Sequence, residues 1–252
     1  MPIGSKIIYR DKVSSTNTLA REMLDDDSCC EGTVIFASEQ SQGKGQGNNI
    51  WLSEAGKNLL VSVITRPLFL KADQQFLISK TISLAIASML DNYSASISIK
   101  WPNDIYYKDD KIAGILIENS LEGNKIKSSV IGAGININQA SFPPGLPNPV
   151  SLSMINKTEY DIADMLTDFC RISDYWYDML KAGQTSCINQ MYISRLYRFD
   201  RPSFFKTDQG RARGRIKGID KYGRLQVSWD NGGRGVYGFR EIGFTDQYSP
   251  SR

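Results

Sequence analysis

The chain has 252 residues, of which 30 are Lys or Arg, 27 are Asp or Glu and none is His, for a formal net charge of +3. Its length suits one large or two modest domains, and 41% hydrophobic with 23% charged residues describe a folded globular protein, not a disordered chain, a collagen or a coiled-coil rod. Without histidine there is no Ser-His-Asp or Cys-His mechanism, no zinc-histidine site and no imidazole base, so any chemistry rests on Lys, Arg, carboxylates, backbone amides or a borrowed cation.

In chain order, the opening IIYRDKV reads as a short strand. Ser14, Ser15, Thr16 and Asn17 then offer an N-cap for a helix through Leu19, Ala20, Met23 and Leu24, which the acidic run Asp25 to Asp27 ends. GTVIFASEQ predicts a buried strand running into the glycine-broken loop QSQGKGQGNNIW, and NLLVSVITRP a second strand stopped by Pro67. Residues 74–90 carry helix-spaced apolar side chains, SISIKWPND alternates as a strand, and KIAGILIEN and KSSVIGAGININ are two more strands. SFPPGLPNP predicts a surface loop, and Tyr160 to about Ala182 a long helix stopped at Gly183. Beyond Tyr197, glycine turns at KYG and DNGG separate short strands of a small all-β barrel. The expected fold is α+β, with domains at 1–194 and 195–252. The second is basic: from Arg195 onward 13 residues are basic and 6 acidic, a charge that suits nucleic acid, a nucleotide, an acidic protein or plain solvent. No apolar run is long enough to span a membrane and the N-terminus does not read as a signal peptide. The four cysteines lack metal-ligand spacing and read as cytoplasmic thiols.

Four places offer chemistry. Gly43, Gly45 and Gly47 interleave with Lys44 and Gln46 directly after a strand, so free backbone N–H groups can cradle an anion and Trp51 can stack on a base; a flexible turn explains the same residues. In KWPND, Asn103 and Asp104 leave a strand end, where Asp104 suits Mg²⁺ or phosphate orientation, or only an Asx turn. Lys111 is a point charge for a carboxylate or phosphate, or a lysine that merely flanks a strand. In GAGININ two glycines permit close approach of a ligand, with Asn136 and Asn138 on one face, although a tight turn fits nearly as well. Together they suit nucleotide handling better than hydrolysis, and acyl activation in particular, where a carboxylate attacks a phosphate.

SSTN at 14–17, EQSQGKG at 39–45, KWPND at 100–104, KIAGIL at 111–116 and GAGININ at 132–138 occur in the order of the biotin protein ligases, and GRIKGIDKYGRLQV resembles their SH3-like C-terminal domain. The resemblance covers essentially the whole chain and is to the monofunctional form, since SSTN begins too early for an N-terminal DNA-binding domain; it therefore implies no specific DNA binding and no membrane. It implies a mixed-sheet catalytic domain of the biotin/lipoate ligase type, and formation of biotinyl-5′-AMP from biotin and MgATP. Transfer to a lysine of a biotin carboxyl carrier domain follows, with no permanently bound cofactor. Lys111 and Asp104 match the catalytic pair, with Asp104 also the one candidate metal contact. Ser15, Thr16, Asn17, Gln40, Gly43, Lys44, Lys111, Gly114, Leu116 and Gly132 match the biotin side, and Lys44, Gly45, Gln46, Trp51, Lys100, Asn103, Lys111 and Asn136 the ATP side. The family loop usually reads GRGRxG. Here it reads GKGQGN, so Gln46 stands where a second arginine is frequent, and looser retention of the adenylate is expected unless Arg240 or the basic barrel compensates. The alternatives are a lipoate- or octanoate-handling relative, a nucleic-acid module built on the barrel and a non-catalytic homologue; a monomer and a homodimer are equally open.

Overall fold

The computed structural model describes residues 1–26, 29–47 and 49–245. Asp27 of the acidic run, Asn48 of the glycine loop and residues 246–252 of the basic tail lie outside the described residues. A seven-stranded sheet is built from β1 (Lys6–Val13), β2 (Thr33–Gln40), β3 (Leu59–Thr65), β4 (Ile97–Lys100), β5 (Asp104–Tyr107), β6 (Asp110–Glu122) and β7 (Lys125–Ile135). The spatial order is β1-β2-β3-β7-β6-β5-β4, with β1 and β2 parallel and the other neighbours antiparallel. The parallel pair needs a crossover, which α1 (Thr16–Asp25) supplies. The sheet is therefore mixed, as the α+β reading expects.

All seven residues of β3 are buried, because helices cover both faces of the sheet. Leu59, Val61 and Val63 join the main core with Ile82 and Met89 of α2 (Phe76–Asp91) and Phe169 of α4 (Ile162–Lys181). On the opposite face Ile64, Ile35 and Val130 pack against Ala20 of α1. Each such aliphatic side chain contributes roughly 1.5 to 3 kcal/mol when fully buried. Ser62 interrupts the apolar run on the α1 face.

Three local features differ from the sequence expectation. SISIKWPND is not one strand: β4 and β5 form a tight hairpin whose turn is Trp101, Pro102 and Asn103, with a cis Trp101–Pro102 bond. Asp104 therefore begins a strand. Ser15 sits at the N-cap of α1 without a side-chain cap bond, so its hydroxyl is not spent on the helix. Two further helices, α3 (Leu152–Asn156) and α5 (Thr185–Ser194), occupy stretches that carry little helical periodicity.

A second sheet comprises β8 (Ser203–Thr207), β9 (Gly210–Ile219), β10 (Leu225–Trp229), β11 (Arg234–Tyr237) and β12 (Gly243–Phe244). It is antiparallel throughout, in the order β11-β10-β9-β8-β12. Its KYG turn sits flush on the larger body: Trp101 Nε1 donates to the Gly223 carbonyl at 2.8 Å, and a Cβ on Gly223 would come within 2.4 Å of the Phe76 ring. Among the described residues no helix is long and apolar enough to cross a membrane.

Candidate active site

A cavity of about 260 Å³ opens on the α1 face of the large sheet. One end is polar and buried. The Thr16 amide and hydroxyl donate to Gln40 Oε1 at 2.8 and 3.1 Å, which ties α1 to the end of β2. Ser62 Oγ lies 2.8 Å from Thr16 Oγ1 and 2.6 Å from Asn17 Oδ1, its single proton serving two acceptors. Asn17 Nδ2 donates to the Leu116 carbonyl and, at 2.8 Å, to Glu118, which pairs with Arg21 at 2.7 Å. The chain is a continuous wall of donors and acceptors in a setting where each unpaired group would be costly.

The floor is glycine for a steric reason. Gly132 lies opposite Ser62, and a Cβ there would meet Asn17 Oδ1 at 2.2 Å. Gly114 and Gly134 are paired across β6 and β7, and a Cβ on either would strike the Trp51 indole, at 2.8 and 2.3 Å. Trp51 is carried there by the glycine loop, a small hairpin in which Lys44 bridges Ile50, the Gly45 amide donates to Asn49 at 2.8 Å and the Trp51 amide donates to Gly43 at 2.9 Å. Trp51 Nε1 and Gln46 Oε1 are buried and without a partner among the described residues. A bound acceptor and donor would satisfy them.

Charge gathers at the other end. Lys111 Nζ pairs with Asp104 Oδ1 at 2.7 Å and stands 5.6 Å from the Trp51 ring. The Lys111 backbone is clamped by the proline-rich segment, which thus does more than cover the surface: its amide donates to Asn148 at 2.7 Å and its carbonyl accepts from Val150 at 2.9 Å. Lys100 donates to the Tyr106 hydroxyl at 2.9 Å, and its ammonium lies 4.6 Å from the Tyr106 ring and 5.4 Å from Phe244 of the second sheet. Burial in this aromatic surround pushes Lys100 down to about 8; nearby Lys111 adds to the effect and Asp104 opposes it.

Of the residues singled out in the sequence, Ser15, Thr16, Asn17, Gln40, Lys44, Gly45, Gln46, Trp51, Lys100, Asn103, Asp104, Lys111, Gly114, Leu116 and Gly132 line this one cavity. Gly43 does not line it but forms the base of the loop, where a Cβ would come within 2.3 Å of the Trp51 carbonyl. Asn136 also stands outside the lining, with Nδ2 donating to Val150 at 3.1 Å, and Asn138 braces Tyr160. Asn103 Nδ2 donates to the Ile115 carbonyl at 2.8 Å, holding the β4–β5 turn against β6. Asp104 faces a lysine, and among the described residues no group of three acidic or Cys side chains is disposed to hold a metal ion. Ser62, Glu118 and Phe239 are the additions. A lone serine in LLVSVIT was the one available signal for Ser62; Phe239, which the sequence offers only as an aromatic of the barrel, is exposed in the turn after β11 and reaches the cavity from there.

Residues 9–136, about half of the chain, match the Biotin/lipoate A/B protein ligase family. The bifunctional ligase/repressor BirA of Bacillus spizizenii is 31% identical over 243 residues, which cover 93% of this chain and 73% of that protein. The biotin–[acetyl-CoA-carboxylase] ligase of Paracoccus denitrificans is 27% identical over 197 residues, 76% of this chain and 82% of that one. In fold, the chain superimposes with a TM-score of 0.76 on the biotin protein ligase from Aquifex aeolicus in complex with biotin and ATP, at 22% identity over 95% of this chain and 98% of that one.

Proposed function

The chain belongs to the biotin/lipoate A/B protein ligase family, and on that premise we propose that it is an ATP-dependent biotin protein ligase acting on a lysine of a biotin carboxyl carrier domain. In the first half-reaction a biotin carboxylate oxygen bonds to the α-phosphorus of MgATP, the bond to the β-phosphate oxygen breaks, and pyrophosphate leaves. In the second, the uncharged ε-amine of the carrier lysine attacks the carbonyl of biotinyl-5′-AMP. AMP departs with the electron pair of the broken anhydride bond, and the amine loses its proton as the amide forms. The magnesium ion arrives as part of the nucleotide substrate.

The observation that carries this reading is the polarity of the cavity: hydrogen-bonding groups at one end, the Lys111–Asp104 pair at the other, and glycine between. The Thr16–Gln40–Ser62–Asn17 wall suits a ureido ring, which presents both N–H donors and a carbonyl acceptor. The glycine floor lets the Trp51 indole and the Asn17 amide sit down against β6 and β7, which leaves room between them for the acyl chain. At the far end Lys111 neutralises repulsion between carboxylate and phosphate as they approach, an interaction stronger in the transition state than before it. Asp104 holds Lys111 in position and receives the incoming amine. Lys44 and Lys100 add positive potential for the phosphates, and the loop bearing Trp51 covers the anhydride from water. A lipoyl or octanoyl chain would leave the polar end unmatched. The division into a catalytic domain at 1–194 and a C-terminal domain at 195–252 belongs to this reading. So does a cytoplasmic site of action, in keeping with free thiols at Cys29, Cys30, Cys170 and Cys187.

The test is incubation with biotin, MgATP and carrier domains, read by mass spectrometry. The expected result is one biotinyl group added to one lysine, dependent on all three components. Unmodified carriers across several sources, or efficient use of lipoate in place of biotin, would overturn it.

A further inference from the structure

The loop 43–47 carries one charge, Lys44, and its Gln46 provides an amide where a guanidinium would grip phosphate. A guanidinium from the C-terminal sheet lies beside this loop. At the turn after β11, Arg240 lays its guanidinium directly on the loop: a Cβ built on Gly47 would come within 1.8 Å of Arg240 Nη2. A side chain at position 47 would have to displace the guanidinium from this place. The preceding residue, Phe239, lines the cavity, while Gly47 and the exposed Arg240 lie just outside its lining, and the Arg240 guanidinium carbon is 5.4 Å from the Phe239 ring. Arg240 is in no ion pair with a carboxylate of the described residues. Its backbone is left-handed, with φ 71, a conformation that costs an arginine free energy and that glycine adopts freely.

We propose that Arg240 is a phosphate-binding residue that reaches the active site from the C-terminal sheet across Gly47, holding the loop 43–47 closed over the nucleotide and over the acyl-adenylate. The proposal rests on the ligase reading above and assigns to the second sheet a direct part in retaining the intermediate. It accounts for a loop with one cation at a site that must hold an anion. It also gives Gly47 a function beyond flexibility, because any larger residue there would push the guanidinium away.

The experiment uses the full chain and the variant Arg240→Gly, which suits φ 71 and so removes the guanidinium without disturbing the turn. Wild-type ligation of biotin to carrier is established first; if it fails, the ligase reading falls, and that failure is distinct from any result with the variant. Release of biotinyl-adenylate is then followed in the absence of carrier, with KM for ATP and biotin affinity measured alongside. Arg240→Gly should release the adenylate about tenfold faster or more and raise KM for ATP in step, the effect of losing one charge-assisted contact. Biotin affinity without nucleotide and the thermal midpoint should hold or improve. Arg240→Lys should recover part of the loss, and Gln46→Arg in the Arg240→Gly background should restore slow release. Wild-type release and KM in Arg240→Gly would overturn the proposal. So would a loss of biotin affinity and thermal stability together, because that marks a purely structural role.

Discussion

The Trp51 indole rests on Gly134, where a single added methyl carbon would come within 2.3 Å of Trp51 Cε2. The seat is a flat patch of main chain shared with Gly114, and it fixes where the loop can close. Gly134→Ala should therefore displace the ring and weaken the nucleotide side of the cavity, raising KM for ATP by about tenfold or more. Biotin affinity should change much less, since the Thr16–Gln40 wall is remote from the methyl. Titration with each ligand separately makes the comparison, and an unchanged KM for ATP would show that the indole's seat is dispensable.

Lys111→Ala removes the ammonium at the charged end of the cavity, which the ligase reading sets beside the reacting atoms, and leaves Asp104 without its partner at 2.7 Å. Adenylation should slow by roughly a hundredfold or more, about 3 kcal/mol, with a smaller effect on biotin binding. Pyrophosphate release in a single turnover reads the step directly. Near-wild-type release would take Lys111 out of the reaction.

Lys100 supplies a pH dependence. Its ammonium is held down to about 8 from 10.5 by burial, so in the free enzyme it loses its charge as pH rises through that value. kcat/KM for ATP should fall above about pH 8, and Lys100→Arg, whose guanidinium keeps its proton, should lack that limb. The stability consequence has a definite sign. Between about 8 and 10.5 the unfolded chain binds more protons at this position than the folded one, so this group's contribution becomes more favourable as pH rises across that window, and its penalty is complete below it. A limb that survives in Lys100→Arg would assign it to another group.

Phe244 is part of what buries that lysine, with its ring 5.4 Å from the ammonium. Phe244→Ala should admit water and move the Lys100 limb to higher pH. A pH profile of kcat/KM for ATP identical to wild type would mean that the second sheet does not set the lysine's environment.

Trp101 follows Lys100 at the start of the β4–β5 turn, and its indole Nε1 donates across to the Gly223 carbonyl of the second sheet at 2.8 Å. Trp101→Phe deletes that donor and leaves a carbonyl unsatisfied, a loss of about 1 to 3 kcal/mol. Amide exchange in the turn 220–224 should accelerate before exchange in β3 does. Uniform acceleration through both sheets would indicate one cooperative unit with no weak joint at Trp101.

The sequence by itself determined the elements with strong period and the residues with a chemical reason to be unusual. The central strand, the helices near 74–90 and 160–182, the glycine turns of the tail and the order of SSTN, KWPND and KIAGIL were legible because connectivity and side-chain alternation are local properties. Only the tertiary structure decided which of these meet. Ser62 became part of the polar wall because β3 lies beneath α1, Gly132 and Gly134 were required by side chains far away in sequence, and Asn136 fell outside the cavity because it lies just past the end of β7. The fold of the β4–β5 hairpin spent the Trp101 N–H on the second sheet, and the placement of that sheet brought Arg240 onto Gly47. The physical reason is the same in each case: excluded volume and hydrogen-bond satisfaction act between atoms that share space, and chain spacing records only what shares an element.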